Sequence, residues 1–368
     1  MEKTTIHIIG TPGNASRQQP TIDPFSRSSY YLTNSLHGEG WRVNYYGYEE
    51  SNPGCTKKFG VVNMEWKLKW TTHSDNSAPV LTEGMREDFR DRVFDKLKDN
   101  VIKGDIIIDM WSNHYDGDKI RKLTPYVIDG HVGHYAPSPH YSYHVYACHA
   151  LQSFIYGKND HMFNCRWNDA VIPPISHSMY DFEFNPYNEG YILFMSRLIE
   201  NKGLGVVLDV ATNMPDQKFK IAGSGDISYF QHKMGDNVEF IGYLDGDKRR
   251  DYMSKAKAVI TPALYFEPFG LTSVEAALSG TPIIATDWGG YTNNVLDGVT
   301  GFRCTTVYDF IDAINNLDKI DPVDCKHWGD LHSCEELVKK WKKYLIRVKR
   351  GGFYGLTSDE DIEKTFRM

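Results

Sequence analysis

Short apolar runs recur along the chain, each closed by a glycine, proline or polar turn and followed by a stretch with helical spacing. This is the pattern of parallel α/β units. In the first half, residues 6–9, 41–46, 105–108 and 126–128 read as strands. Residues 28–37 read as a helix through Tyr31, Leu32 and Leu36, and residues 84–102 as a clearer one, because Phe89, Val93 and Leu97 recur every fourth position and line one face. Residues 51–83 show no clear period and read as an irregular insertion. Val171-Ile172-Pro173-Pro174 ends a strand in a proline stop, and the stretch to Asn188, rich in Pro, Asn and aromatics, reads as a linker.

A second series follows. Residues 191–195, 219–222, 238–241, 258–261 and 282–285 read as strands, with helices beginning near Gly203, Gly246 and Leu271. The last long helix, 335–350, places Val338, Trp341, Leu345 and Val348 on one stripe, with Lys339, Lys340, Lys342, Lys343, Arg347 and Lys349 around it. Such a helix can lie on an anionic membrane. The favoured expectation is that its stripe packs on the protein and its cations are solvated.

A length of 368 residues fits two domains. At 41% hydrophobic and 24% charged, with no apolar run near the roughly 18 residues of a spanning helix, the chain reads as globular and soluble. The formal charge of −7 argues against a general nucleic-acid binder, since phosphate neutralisation needs an excess of Lys and Arg. The six cysteines form no CxxC pair, which points to reduced thiols rather than a zinc site or a disulfide framework. The first ten residues carry no signal-peptide pattern, so a cytoplasmic location is expected. The 13% aromatic content suits either a large core or a site that packs on sugar faces.

The segment Glu267-Pro268-Phe269-Gly270-Leu271-Thr272-Ser273-Val274-Glu275 carries the most chemical information. Two carboxylates bracket a Pro-Phe-Gly turn that should start a helix. A helix start offers free backbone N–H groups and the positive end of the dipole, which suit a diphosphate. Gly270 lets a ligand approach the backbone, and Glu275 lies about one turn into the helix. Earlier in the chain, Ser196-Arg197-Leu198-Ile199-Glu200-Asn201-Lys202-Gly203 sets two cations across a loop after a strand. Arg supplies a planar fork of donors and Lys a point charge, so together they can hold a diphosphate; surface salt bridges are the competing role. Gly223-Ser224-Gly225 ends another strand in a loop that is either a nucleotide contact or a simple tight turn.

The ordered series Ser196-Arg197-Leu198 to Lys202-Gly203, Gly223-Ser224-Gly225, Phe240-Ile241-Gly242-Tyr243-Leu244, Glu267 to Leu271, Glu275-Ala276 and Gly301-Phe302 resembles the glycogen-synthase-like family 4 of retaining glycosyltransferases over residues 190–305. The resemblance implies a glycosyltransferase-B fold: two Rossmann-like α/β domains facing across a cleft, with a C-terminal helix crossing back to the first domain. The expected boundaries are 1–177 for an acceptor domain, 190–345 for a nucleotide-sugar domain and 346–368 for the crossover. The resemblance also implies that Arg197 and Lys202 contact the donor diphosphate, Glu275 the ribose hydroxyls and Glu267 the sugar hydroxyls near the reacting carbon. Phe269, Gly270 and Leu271, with Thr272, would cradle sugar and phosphate, and Tyr243 would lie near the base.

The first half resembles the family through residues 28–43, with Gly40-Trp41-Arg42-Val43 as its clearest part, while Tyr45-Tyr46-Gly47 and Val171-Ile172-Pro173 are similar to virus-encoded members. The family's Gly-Gly pair before the first helix is missing, and Asp23-Pro24 falls near its place. Gly10 and Gly13 are the expected substitutes at the donor. Among His131, His134, His140, His144 and His149, the position of His131 is similar to that of a family histidine near the donor sugar; a structural or acceptor-binding role is equally open. His140 and His144 have the spacing of one helix face, but no HExxH accompanies them and no metal or other cofactor is expected.

The expected reaction moves a sugar from a nucleotide diphosphate sugar, GDP-mannose first and UDP-glucose second, to a hydroxyl of a glycan or other acceptor, with retention. No nucleic-acid partner is expected, and peripheral membrane contact is not favoured. The alternatives are a nucleotide-sugar 2-epimerase on the same fold and a non-catalytic sugar-nucleotide or glycan-binding protein.

Overall fold

The computed structural model describes residues 3–12, 14, 23–70, 82–111, 117–132, 137, 141–159, 166–351 and 359–367. The chain divides into two compact units. Unit 1 comprises residues 1–147, 152–176 and 334–368, and unit 2 comprises 148–151 and 177–333.

Unit 1 runs β1 (Ile6–Ile9), α1 (Pro24–Gly38), β2 (Val43–Tyr48), β3 (Lys57–Val62), α2 (Met64–Trp70), α3 (Glu83–Lys98), β4 (Ile106–Asp109), α4 (Gly117–Leu123), β5 (Tyr126–Val132), β6 (Tyr143–Tyr146), α5 (His149–Lys158), whose residues up to Leu151 are assigned to unit 2, and β7 (Ala170–Val171). Its parallel sheet has the order β3-β2-β1-β4-β5-β6-β7. The strands are buried on both faces, so their apolar runs are continuous rather than alternating. Ile6, Ile8, Ile106 and Ile108 join one core cluster, while Ile9 and Ile107 join the other, together with Phe89, Val93 and Leu97 of α3.

Two expectations change here. Residues 51–83 are not wholly irregular, since they contain β3 and α2. β3 is an edge strand that begins Lys57-Lys58 in solvent and becomes buried only at Val61-Val62, which removes the continuous apolar signal. His144 lies on β6, not on a helix face with His140, which is outside the described residues. Its Nδ1 is 3.0 Å from Asp169 Oδ1, and Tyr156 donates to the other oxygen of that buried carboxylate at 2.8 Å. The side chain is therefore tied into a core network.

Unit 2 runs β8 (Tyr191–Met195), α6 (Leu204–Thr212), β9 (Lys218–Ala222), β10 (Val238–Phe240), α7 (Gly246–Ser254), β11 (Ala258–Thr261), α8 (Leu271–Ser279), β12 (Ile283–Thr286), α9 (Tyr291–Asn294), β13 (Gly301–Cys304), α10 (Val307–Asn315) and α11 (Pro322–Asp330). The parallel order is β10-β9-β8-β11-β12-β13. Phe194, Ile221, Ile260 and Ile284 pack against Leu204 and Leu208 of α6 and Phe310 and Ile314 of α10.

The chain then returns to unit 1 as α12 (Cys334–Arg350) and α13 (Asp359–Phe366). The unit therefore changes at Ser333/Cys334 rather than at 345. α12 is one uninterrupted helix, and Leu337, Val338, Trp341, Leu345 and Val348 bury together with Ile6, Tyr31 and Trp41. Several of its cations are engaged: Lys342 pairs with Glu39 at 2.8 Å, Lys349 donates to Gly104 O at 2.5 Å and Arg347 to Asp169 O at 2.8 Å. Phe366 stacks on Trp41 with centroids 4.3 Å apart. Among the described residues no helix is long and apolar enough to cross a membrane.

Candidate active site

In unit 2 the strand order reverses between β8 and β11, and the loops leaving their carboxyl ends diverge. That edge of an open parallel sheet is where ligands bind in doubly wound folds. The loop after β8 carries Arg197 and ends in a 3-10 turn, Glu200–Lys202. The loop after β11 carries Tyr265 and Glu267. The two are pinned together because Leu264 N donates to Asn201 O at 2.8 Å. Gly203, at φ 81°, would place a Cβ only 1.8 Å from Pro262 O, so no other residue fits there without moving backbone.

This close approach brings Lys202 Nζ to 2.8 Å from Glu267 Oε2 and 2.5 Å from the Tyr265 hydroxyl, with the ammonium 4.7 Å from the ring centroid. The same Glu267 oxygen also accepts from the Tyr265 hydroxyl. Burial, and then the charge of Glu267, push the Tyr265 hydroxyl far above the ordinary phenol range, with Arg197 acting in the opposite direction. Tyr265 thus acts as a hydrogen-bond donor to Glu267. The Lys202 and Glu267 side chains are 17% and 13% exposed, enough to reach a ligand. Arg197 is exposed and forms no ion pair among the described residues.

Beside this cluster, α8 begins after Gly270, which is left-handed at φ 82° and provides no side-chain cap. The first backbone N–H groups of α8 are therefore left for a ligand. The turn rests on a plate made after β12. A Cβ on Gly289 would lie 2.7 Å from Glu267 O, one on Gly290 2.5 Å from Phe269 Cα, and one on Gly270 2.4 Å from the Tyr291 ring. Gly290 N donates to Glu267 O at 2.6 Å, and Asn294 donates to Phe269 O. Phe269 is buried, while Leu271 and Thr272 are half-buried on the first turn.

Glu275, one turn further, is almost wholly enclosed. His177 Nε2 lies 3.3 Å from one oxygen, and Arg249 pairs with the other. Gly223 and Gly225 support the β8 loop from below. A Cβ on Gly223 would fall 1.7 Å from Ser196 O, and Ser224 O accepts from Leu198 N at 2.8 Å. Tyr243 is half-exposed just after β10.

Of the expected residues of unit 2, Lys202 and Glu267 are in direct contact, Arg197 lies near enough to act on the Tyr265 hydroxyl, Glu275 is held separately by His177 and Arg249, and Tyr243 follows the edge strand β10. Gly10 and His131 belong to unit 1. A Cβ on Gly10 would lie 2.2 Å from Tyr45 Oη, so a larger residue there would have to displace the buried Tyr45 ring. Gly13 is outside the described residues. His131, half-buried on β5, packs its ring edge-on to Phe25 at 4.7 Å. Sequence reasoning missed Tyr265, His177, Arg249 and the Gly289-Gly290 plate; only the glycine pair after a strand gave a local signal.

Asp-x-Asp triplets, a spacing that can chelate a divalent ion, occur at 116–118, 245–247 and 359–361. Asp247 pairs with Arg250 and Asp359 with Arg350. Among the described residues no group of three His, Cys, Asp or Glu side chains is placed to share a metal.

Residues 181–328 match the glycosyl transferases group 1 family. An uncharacterized glycosyltransferase of Methanocaldococcus jannaschii is 31% identical over 188 residues, covering 48% of this chain and 43% of that protein. The phosphatidyl-myo-inositol mannosyltransferase of Mycolicibacterium smegmatis is 30% identical over 36% of this chain and 38% of its own length. A glycogen synthase of Mycobacterium tuberculosis is 29% identical over 31% of this chain and 30% of its own. The chain thus spans less than half the length of these curated relatives. Among solved structures, AviGT4, a glycosyltransferase involved in avilamycin A biosynthesis, superposes with a TM-score of 0.65 at 17% identity, covering 95% of this chain and 99% of that one. The pneumococcal O-GlcNAc transferase GtfA, solved with UDP and GlcNAc, gives 0.67 at 13% identity, covering 95% and 99%. Residues 181–328 thus match the group 1 glycosyl transferases, in a chain of two Rossmann-like α/β units that superposes on solved glycosyltransferases.

Proposed function

We propose that this protein moves a hexose from a nucleoside diphosphate sugar to an acceptor hydroxyl on a glycan, with retention at the anomeric carbon and without a metal. The observation that carries the reading is the convergence of Arg197, Lys202 and the uncapped start of α8 at one sheet edge beside Glu267. The bond from the anomeric carbon to the diphosphate breaks heterolytically, and the leaving oxygen takes the electron pair. The two cations and the helix N–H groups neutralise that charge as it develops. Glu267 accepts hydrogen bonds from hydroxyls of the oxocarbenium-like sugar. Glu275 is the group for the ribose hydroxyls, which would take the place of the more exposed of its two partners, Arg249, while His177 stays buried against the other oxygen. The acceptor hydroxyl attacks from the face the diphosphate leaves, and its proton passes to the departing phosphate oxygen.

GDP-mannose is the first donor and UDP-glucose the second. The names of the mannosyltransferase and glycogen synthase relatives support a hexosyl donor, and the UDP in the GtfA structure supports a nucleoside diphosphate. The test follows nucleoside diphosphate release from both donors in EDTA, including slow hydrolysis without acceptor. Loss of release in EDTA with recovery on adding a divalent ion contradicts metal independence, and preference for a uridine donor contradicts GDP-mannose. Conversion of the donor sugar without acceptor would point to the epimerase, and an intact donor to a binding protein.

A further inference from the structure

Lys202 does not present a bare ammonium. It is shared between Glu267 Oε2 at 2.8 Å and the Tyr265 hydroxyl at 2.5 Å, and Tyr265 donates to the same carboxylate oxygen. A lysine ammonium carries three N–H donors, two of them engaged here, so turning its charge toward a diphosphate loosens its hold on Glu267. A partly enclosed carboxylate whose cation is drawn away needs another fixed donor. Tyr265 is the group positioned to supply it. Its hydroxyl stays protonated, its main-chain carbonyl is fixed by Trp288 Nε1 at 3.2 Å, and its ring lies beside that cation.

We infer that Tyr265 is a positioning residue: its hydroxyl holds Glu267 against the donor sugar while Lys202 turns its charge toward the diphosphate. The inference rests on the reading of unit 2 as a nucleoside diphosphate sugar site. It assigns Tyr265 no contact with the reacting atoms, since it acts through Glu267.

The experiment compares wild type, Tyr265→Phe, Glu267→Gln and the double variant in the full chain. Calorimetry gives Kd for GDP and UDP, and donor turnover gives kcat and KM. Tyr265→Phe should lower kcat about tenfold or more, the size of a lost hydrogen bond to a charged group. Kd and KM should stay within about twofold, because the diphosphate contacts remain. In the Glu267→Gln background the same change should have little further effect, since the group it positions is already altered. Tyr265→Gln, which keeps a donor, should recover part of kcat and guards against a folding defect in the phenylalanine variant. Wild-type kcat in Tyr265→Phe, parallel losses in kcat and Kd, or full additivity with Glu267→Gln would each overturn the role. Failure of the underlying reading would look different: wild type would bind neither GDP nor UDP, or Lys202→Ala would bind them as wild type does.

Discussion

The two units are built on the same strand order through six strands, yet their helix starts carry opposite chemistry. In unit 1 the helix after β1 begins at Asp23, whose carboxylate accepts from Phe25 N at 3.1 Å and Ser26 N at 3.2 Å, and also from the Thr11 hydroxyl at 3.1 Å. Pro24 removes one more donor. In unit 2 the loop after β8 ends at glycine with two cations before it, and α8 likewise starts at a glycine with no side-chain cap. A carboxylate at a helix start satisfies the N–H groups and repels a phosphate, whereas glycine leaves them open. The fold therefore provides two comparable helix starts, and the residue at the cap decides which one suits an anion.

The largest expected effect comes from the cations that set unit 2 apart. Arg197→Ala and Lys202→Ala should each lower turnover about 100-fold or more, by analogy with the roughly 2.7–4 kcal/mol lost when one transition-state donor is removed. Melting temperature should hold. Near-normal turnover in both variants would erase the contrast between the units.

A smaller pair of effects should separate the two carboxylates. Glu267→Gln is expected to damage transfer at nearly constant nucleotide affinity, and Glu275→Gln to weaken GDP or UDP binding by about 1.5–3 kcal/mol, as for a hydrogen bond to a charged group. Initial rates and calorimetry read the two. Identical losses in both assays would merge the roles.

The buried carboxyls of unit 1 should make it sensitive to acid. Burial alone would raise the carboxyls of Asp105 and Asp169 in unit 1, but hydrogen bonds from His7 and the Ile102 and Thr5 N–H groups to the first, and from His144 to the second, hold both below the usual carboxylate range. A lowered folded value stabilises above the unfolded value, and the contribution fades as pH falls through the folded one. Unit 1 should therefore lose stability as pH drops below about 4, and Asp169→Asn should flatten that part of the melting curve. An unchanged pH profile in Asp169→Asn would remove the assigned cause.

The smallest effect is at the closed helix start. Asp23→Ala should cost about 1 kcal/mol of stability, the usual value of a lost N-cap, and leave nucleotide affinity untouched. Weakened GDP or UDP binding in that variant would move the anion site toward unit 1.

Much of the fold is legible because buried parallel strands are continuous apolar runs: residues 6–9, 191–195 and 258–261 read directly as β1, β8 and β11. β3 is hidden by its lysines, and β6 by the alternation of Tyr143, His144, Val145 and Tyr146, which has no single apolar stretch. In the site, Arg197, Lys202, Glu267 and Glu275 are visible through the local motifs that carry them. Tyr265 is adjacent to one of those motifs but gains meaning only when the β8 loop brings Lys202 to it. His177 and Arg249 reach Glu275 from distant segments, so no spacing along the chain reveals them.

The most direct measurement is calorimetric titration of GDP and UDP, in EDTA, into the full chain and its Arg197→Ala and Lys202→Ala variants. The wild type should show saturable binding of at least one nucleoside diphosphate, with marked weakening in both variants. Absence of binding to the wild type, or binding that neither substitution alters, would contradict the assignment of the diphosphate to the β8 loop and the α8 start.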